Sequence, residues 1–281
     1  MKHIVITGTS SGIGYDAARK LTESGYHVFG SVRSTADEER VKAELGEKFT
    51  PLLFDITDHE AVCAAAAQVK EAVSDQGLAG LVNNAGIAAP GPLMHLPLDD
   101  FRYQLEVNVV GTLAVTQAFL PLLGARKDAP HPPGRIVNIS SVSGRIAYPF
   151  VGPYAASKHA LEALSDALRR ELMIYGIDVI VVEPASVQTP IWDKAGELDA
   201  SVYANTDYFS ILQRMQNVFV RQGQTGIPVE KVSNIILRAL ESERPKSRYV
   251  LPRKWFTGWF LPRWLPDRRF DRIIARRLGL A

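Results

Sequence analysis

The chain has a single cysteine, Cys63, in 281 residues. A disulfide framework is therefore excluded, and a reducing compartment suits the protein. Its six histidines (His3, His27, His59, His95, His131 and His159) fall at no ligand spacing, so no metal site is expected. No uninterrupted apolar run reaches the roughly 20 residues that a membrane span needs. A strand-like run at residues 3–7 follows almost directly on Met1, which leaves no room for a secretory or transit segment and makes a cytoplasmic location the expectation. Strong charge of one sign is also missing, since the formal net charge is +2 and 46% of residues are hydrophobic. Disorder as the main state is excluded on that balance.

The small net charge hides an asymmetry. Residues 244–281 hold eleven Lys and Arg against Asp267 and Asp271, which leaves 21 cations against 28 acids in the first 243 residues. The body is mildly acidic, so a nucleic-acid partner is not expected. Along that body short apolar runs alternate with helical patterns. Strands are expected at 3–7, 26–32, 49–56, 80–86, 135–140 and 178–183. Helices are expected at 13–24, 37–46, 58–73 with Asp58 as N-cap, 101–123 as one or two pieces, and 154–175. The Pro- and Gly-rich stretch 127–134 reads as a loop. Strands alternating with long helices predict an α/β fold, a parallel sheet with helices on both faces. With no repeat or linker in sight, residues 1–281 read as one doubly wound domain.

Ligands of such sheets bind beyond the carboxyl ends of the strands, where the strand order reverses. Four informative segments fall there. The first, TGTSSGIG at 7–14, follows the first strand. Gly8 permits a tight turn, Gly12 lets backbone approach a diphosphate, and Gly14 allows close helix packing, while the helix N-terminus offers free N–H groups to phosphate. That is a Rossmann-type dinucleotide turn, although glycines also serve purely structural turns. At the end of the second strand an NAD enzyme would place an acid, yet Val32 and Arg33 stand there and no acid occurs between Glu23 and Asp37. A guanidinium suits a 2′-phosphate, with Ser10 or Ser11 supplying a further hydroxyl, so NADP(H) is favoured over NAD(H). Tyr154 and Lys158 lie four apart at the start of a helix and share a face. Ser140 and Ser141 end the preceding strand at the same edge of the sheet.

Taken together, TGTSSGIG, NNAG (83–86), Asn108, NISS (138–141), YAASK (154–158) and EPASVQT (183–189) resemble the short-chain dehydrogenase/reductase family in its compact single-domain form. Ser141, 13 residues before Tyr154, has the family's spacing and is preferred to Ser140. Ala185 departs from the pattern, which usually has Gly after the Pro. The resemblance implies an oxidoreductase interconverting a secondary alcohol and its ketone, or a primary alcohol and its aldehyde. Tyr154 would be general acid/base, Ser141 would hold the substrate oxygen, Lys158 would bind the nicotinamide ribose, and Asn108 would position a relay water. A free tyrosine has a pKa near 10, and the Lys158 ammonium is expected to lower it. The cofactor set expected on these grounds is Gly8, Ser10, Ser11, Gly12, Ile13, Gly14, Arg33, Asp55 and Ile56 (beside the adenine), Asn83, Ala85 and Gly86 (along the adenosine ribose), Tyr154, Lys158, and Thr189 at the carboxamide.

Residues 190–225 occupy the family's substrate lid. Trp192, Tyr203, Tyr208, Phe209 and Met215 there, with Ile146, Tyr148, Phe150 and Val151 opposite, suggest an apolar wall and a lipophilic substrate; plain core packing is the competing explanation. Ser141, Tyr148, Tyr154 and Trp192 are the expected substrate contacts. The tail 255–281 combines Trp255, Phe256, Trp259, Phe260 and Trp264 with many arginines, a composition suited to a peripheral membrane contact, to capping the active site or to packing on another subunit. The resemblance also suggests a homo-oligomer, a dimer or tetramer. A non-catalytic NADP-binding sensor or scaffold is the alternative function, against which the intact Ser141, Tyr154 and Lys158 set argues.

Overall fold

A computed structural model describes residues 1–189 and 200–280. Seven parallel strands form one sheet in the order β3-β2-β1-β4-β5-β6-β7: β1 (His3–Ile6), β2 (His27–Val32), β3 (Phe49–Leu53), β4 (Gly80–Asn83), β5 (Arg135–Ile139), β6 (Asp178–Pro184) and β7 (Arg248–Leu251). The chain starts in the middle of the sheet, builds outward to β3, then returns past β1 to β4. The order therefore reverses between β1 and β4, and a crevice opens above that point.

Successive side chains of a strand point to opposite faces, and β1 shows it directly. Val5 packs with α3 (His59–Val73) and with the helical run 98–123, whereas Ile4 and Ile6 pack with α1 (Gly12–Glu23) and α2 (Thr35–Leu45). Both faces are thus buried, which is why the central strands are continuous apolar runs. The run 98–123 is α4 (Leu98–Leu105), a π-helical turn (Glu106–Gly111), α5 (Thr112–Phe119) and a closing 3-10 turn (Leu120–Leu123). By length and composition it could cross a membrane, but Val107, Val115 and Phe119 are buried in the core.

The helix starts follow their caps. Ser34 Oγ accepts from the Asp37 amide at 3.2 Å, and Asp58 Oδ1 accepts from the Ala61 amide at 3.0 Å. The expected Asp58 cap is therefore present, while α2 starts two residues earlier than its charged stretch suggested. The long helix α6 (Gly152–Glu171) begins two residues before Tyr154 and ends in a 3-10 turn. Three elements escaped the sequence reading: α7 (Phe209–Gln224), α8 (Val229–Glu241) and β7. Val232, Ile236 and Ala239 of α8 complete the core face that α1 also covers, and β7 extends the sheet beside β6.

Candidate active site

A crevice of about 430 Å³ lies over the switch point, and most of the expected residues line it: Gly8, Ser10, Ser11, Gly12, Ile13, Arg33, Asp55, Ile56, Ala85, Gly86, Ser141, Tyr154, Lys158 and Thr189. At its nucleotide end the glycine turn is interlocked with its neighbours. Gly8 (φ 71) and Gly12 (φ 60) adopt left-handed backbone that favours glycine. The Gly8 amide donates to Ser31 Oγ at 2.9 Å, and Asn84 Nδ2 donates to the Thr7 and Gly8 carbonyls at 2.9 and 3.0 Å. Gly14 stands behind this turn, where a methyl would run into the Gly8 carbonyl and the Asn84 amide. Ser11, the N-cap of α1, makes no side-chain cap bond, so the first amides of the helix remain available to an anion. A glycine cradle, a free helix N-terminus and a crevice of this size fit a dinucleotide.

Arg33 leans over the adenosine side, largely exposed, with Nη1 3.7 Å from Asp55 Oδ2. Burial works to raise the Asp55 carboxyl, but hydrogen bonds from the Thr57 amide and hydroxyl, together with the Arg33 guanidinium, hold it below its ordinary value. A second guanidinium, Arg40, donates to the Ser10 carbonyl at 2.7 Å. It went unnoticed in the sequence because its link to the turn is a tertiary contact.

At the catalytic end α6 brings Tyr154 and Lys158 onto one face. Burial pushes the Tyr154 hydroxyl above its ordinary value, against the opposing pull of the neighbouring Ser141. The expected lowering by Lys158 is absent, for a physical reason. Burial dominates at the Tyr154 hydroxyl, while the Lys158 ammonium donates to the Ile139 carbonyl at 2.8 Å and sits 5.7 Å from the centroid of the tyrosine ring. Burial brings Lys158 itself down to about 8, with the Glu162 carboxylate opposing the fall. Ser140 also lines the crevice, but its Oγ lies beside Gly144 and has no hydrogen-bond partner among the described residues. Ser141 is the hydroxyl beside Tyr154.

Asn83 and Asn108, like Gly14, are not among the residues that line the crevice. The Asn83 side chain turns under the sheet edge and donates to Thr116 Oγ1 and Asn138 Oδ1 at 3.0 and 2.8 Å, so it braces strands rather than facing a ribose. Asn108, in the π-helical turn, accepts from the Ile87 amide and donates to the Ile87 carbonyl and to Ser157 Oγ. Its Oδ1 borders the space above Gly86 that Lys158 Nζ also borders, so it shapes this corner from behind.

Beneath Lys158 is a charge cluster that the sequence did not announce. Glu162 and Glu183 are buried, at 3% and 0% exposure, between Arg145 and Arg248. Arg145 reaches Glu162 at 3.1 Å and Glu183 at 3.4 Å, while Arg248 reaches them at 3.0 and 3.3 Å. Burial and the neighbouring Glu162 push Glu183 up to about 7 against the pull of the two arginines. Arg248 also pairs with Asp166, so β7 is tied to the catalytic helix.

The apolar wall needs correcting. Phe150, Tyr203 and Met215 pack into a separate cluster with Ala200, Ile211 and Leu212, against which Val151, Tyr208, Phe209 and Leu278 also lie. None of them lines the crevice. Tyr148 is likewise outside it, half-buried with its ring 6.1 Å from that of Phe270. Their apolar surface is used up on one another. Trp192, the remaining expected contact, lies outside the described residues.

Comparison with known proteins agrees with this geometry. The short chain dehydrogenase family matches residues 2–199. The NADPH-dependent 3-dehydrocapnine reductase of Ornithobacterium rhinotracheale is 41% identical over 99% of this chain and 98% of its own. Human 17-beta-hydroxysteroid dehydrogenase type 6 is 33% identical over 98% of this chain and 88% of its own. The crystal structure of a short-chain dehydrogenase from Streptomyces avermitilis superposes with a TM-score of 0.73 at 28% identity, over 89% of this chain and 87% of that one. The chain belongs to the short-chain dehydrogenase/reductase family. It is an NAD(P)-dependent oxidoreductase acting on a CH–OH group or the corresponding carbonyl.

Proposed function

We propose that the chain, acting as one catalytic unit, reduces a lipophilic ketone to its secondary alcohol with NADPH, using Ser141, Tyr154 and Lys158. The observation that carries this reading is that Ser141, Tyr154 and Lys158 line the same crevice as the glycine cradle of Gly8 and Gly12. When bound, NADPH supplies the hydride that the carbonyl carbon accepts. Ser141 holds the carbonyl oxygen. Tyr154, kept protonated by burial, donates its hydroxyl proton to that oxygen. Lys158, titrating near 8, stays largely charged at neutral pH, offsets the transient tyrosinate and returns a proton to it. Asn108 fixes the Ile87 loop beside Gly86 and Lys158.

Gly8, Gly12 and the α1 N-terminus would hold the diphosphate, Asp55 and Ile56 the adenine, Ala85 and Gly86 the adenosine ribose, and Thr189 the carboxamide. Arg33 is exposed and paired with Asp55 only at 3.7 Å, so it can close on a 2′-phosphate. The relative named as NADPH-dependent supports that cofactor, and the hydroxysteroid dehydrogenase supports a lipophilic carbonyl or alcohol as substrate. The test is NADPH oxidation at 340 nm across a panel of long-chain, steroidal and aromatic ketones. Turnover of at least one lipophilic ketone above short water-soluble ones is expected. Uniform inactivity with NADPH would overturn the reading.

A further inference from the structure

The C-terminal segment leaves apolar surface that nothing else in the fold accounts for. After β7 the chain enters a helical stretch from Trp255 to Trp264, π-helical over Phe256–Phe260. Trp259 is its anchor, buried at 8% exposure with the Arg263 guanidinium 4.8 Å above its ring. The other rings point away from the body. Phe256, Phe260 and Trp264, spaced four apart, form a continuous stack with centroid separations of 6.2 and 5.4 Å, and Trp255 and Trp264 are 62% and 75% exposed. Four large exposed aromatic residues within ten positions are not the scatter expected of an ordinary surface.

Charge accompanies the rings. Between residues 253 and 281 there are eight Lys and Arg against two Asp, and all eight cations are exposed. In the last helix, α9 (Asp267–Leu278), Phe270, Ile274 and Leu278 lie on one side with both acids. Arg269, Arg272, Ile273 and Arg276 lie on the other. The first side meets the body, through Phe270 on Tyr148 and Leu278 on the Phe150, Tyr203 and Met215 cluster. The second is a cationic face with one exposed aliphatic.

We infer that residues 253–280 dock this protein on an anionic lipid bilayer, with the Phe256–Phe260–Trp264 stack entering the interface and the surrounding arginines meeting the headgroups. Tryptophan and phenylalanine rings beside Lys and Arg are the chemistry of a membrane–water interface. A second copy of the chain fits less well, because pairing this face with itself brings like charges together. The helix that carries the cationic face is held to the body by the packing of Leu278 on the Phe150, Tyr203 and Met215 cluster, so the face stays turned outward. This goes beyond the catalytic reading and is tested without substrate.

The experiment is sedimentation of the full chain with large vesicles of phosphatidylcholine alone and of an equimolar mixture with phosphatidylglycerol, at low and high salt. Binding to the anionic vesicles at low salt is expected, with little to the neutral ones. Each cation removed should weaken it about fivefold, so Arg269→Gln/Arg272→Gln/Arg276→Gln should lower it by more than tenfold. Phe260→Ser/Trp264→Ser should abolish it and leave turnover of a water-soluble ketone unchanged. Circular dichroism and the thermal midpoint of each variant identify any that misfold, and the arginine variant keeps the test independent of the aromatic one. Absence of binding to anionic vesicles at low salt overturns the inference. So does self-association in ultracentrifugation that Phe260→Ser/Trp264→Ser removes, since a second copy would then be the occupant. Either failure leaves the NADPH assay and its conclusion untouched.

Discussion

The two ends of the crevice are built by different means. At the nucleotide end, recognition belongs to the backbone. Gly8 and Gly12 need left-handed dihedrals, Gly14 has no room for a methyl, and Asn84 and Ser31 stitch the turn to neighbouring strands. At the other end the crevice presents the side chains of Ser141, Tyr154 and Lys158, and outside it Phe150, Tyr203, Leu212 and Met215 make an apolar cluster with no comparable backbone demand. Backbone demands leave few residue types acceptable, whereas apolar packing accepts many residues of similar volume. The glycine turn is therefore stereotyped and the apolar cluster free to vary.

That contrast can be attacked from several sides. The largest effect is expected at the catalytic side chains. Ser141→Ala removes a hydrogen bond to the reacting oxygen and should lower kcat about 10²–10⁴-fold with NADPH affinity unchanged. Ser140→Ala should have little effect, and a reversed pattern would move the role to Ser140. At the nucleotide end, Arg33→Ala should lower kcat/KM for NADPH about ten- to a hundredfold and leave NADH nearly unaltered. Val32→Asp should erode the same preference by repelling the 2′-phosphate. In the apolar cluster outside the crevice, Met215→Leu conserves volume, so it should change kcat/KM for ketones by no more than a few-fold and leave the KM for NADPH alone. A shift in NADPH affinity would break the separation of the cluster from the nucleotide end.

The smallest effect concerns the charge cluster beneath Lys158. Glu183 titrates near 7 in the fold against an ordinary 4.5, so between those values the folded state binds more protons than the unfolded one. The Glu183 contribution to stability should therefore fall as pH rises from about 5 to 8, while His3 and His27, which burial holds below their ordinary value, contribute in the opposite sense. Glu183→Gln removes the Glu183 contribution and leaves Arg145 and Arg248 balanced by Glu162 and Asp166. Thermal midpoints at pH 5.5 and 8 check this. The difference in midpoint between wild type and variant should shift by a few degrees across the interval, to the wild type's disadvantage at pH 8. An unchanged difference would place the titration elsewhere.

How much of this was legible follows from the same contrast. The glycine turn, the Asp58 cap, the placement of Arg33 and the Tyr154–Lys158 face depend on residues close in sequence, so spacing revealed them. The short edge strand β7 did not show, because four residues containing Arg248 make a weak pattern. The cluster of Glu162, Glu183, Arg145 and Arg248 joins residues up to 86 positions apart, and no local spacing records such a pairing. Asn83 was placed in the right segment and the wrong direction, since period-two alternation alone does not say which face of β4 looks into the crevice. The lid aromatics were recognised as apolar, but composition does not tell a ligand wall from side chains that satisfy one another.

The most direct test of the catalytic account is Tyr154→Phe, assayed for NADPH oxidation with an accepted ketone and, separately, for NADPH affinity by fluorescence titration. Only the hydroxyl is lost, so the ring should still fill its place over Lys158. The account predicts affinity within about twofold of wild type and turnover reduced at least 10²-fold. Turnover close to wild type would mean that another group supplies the proton, and would contradict it.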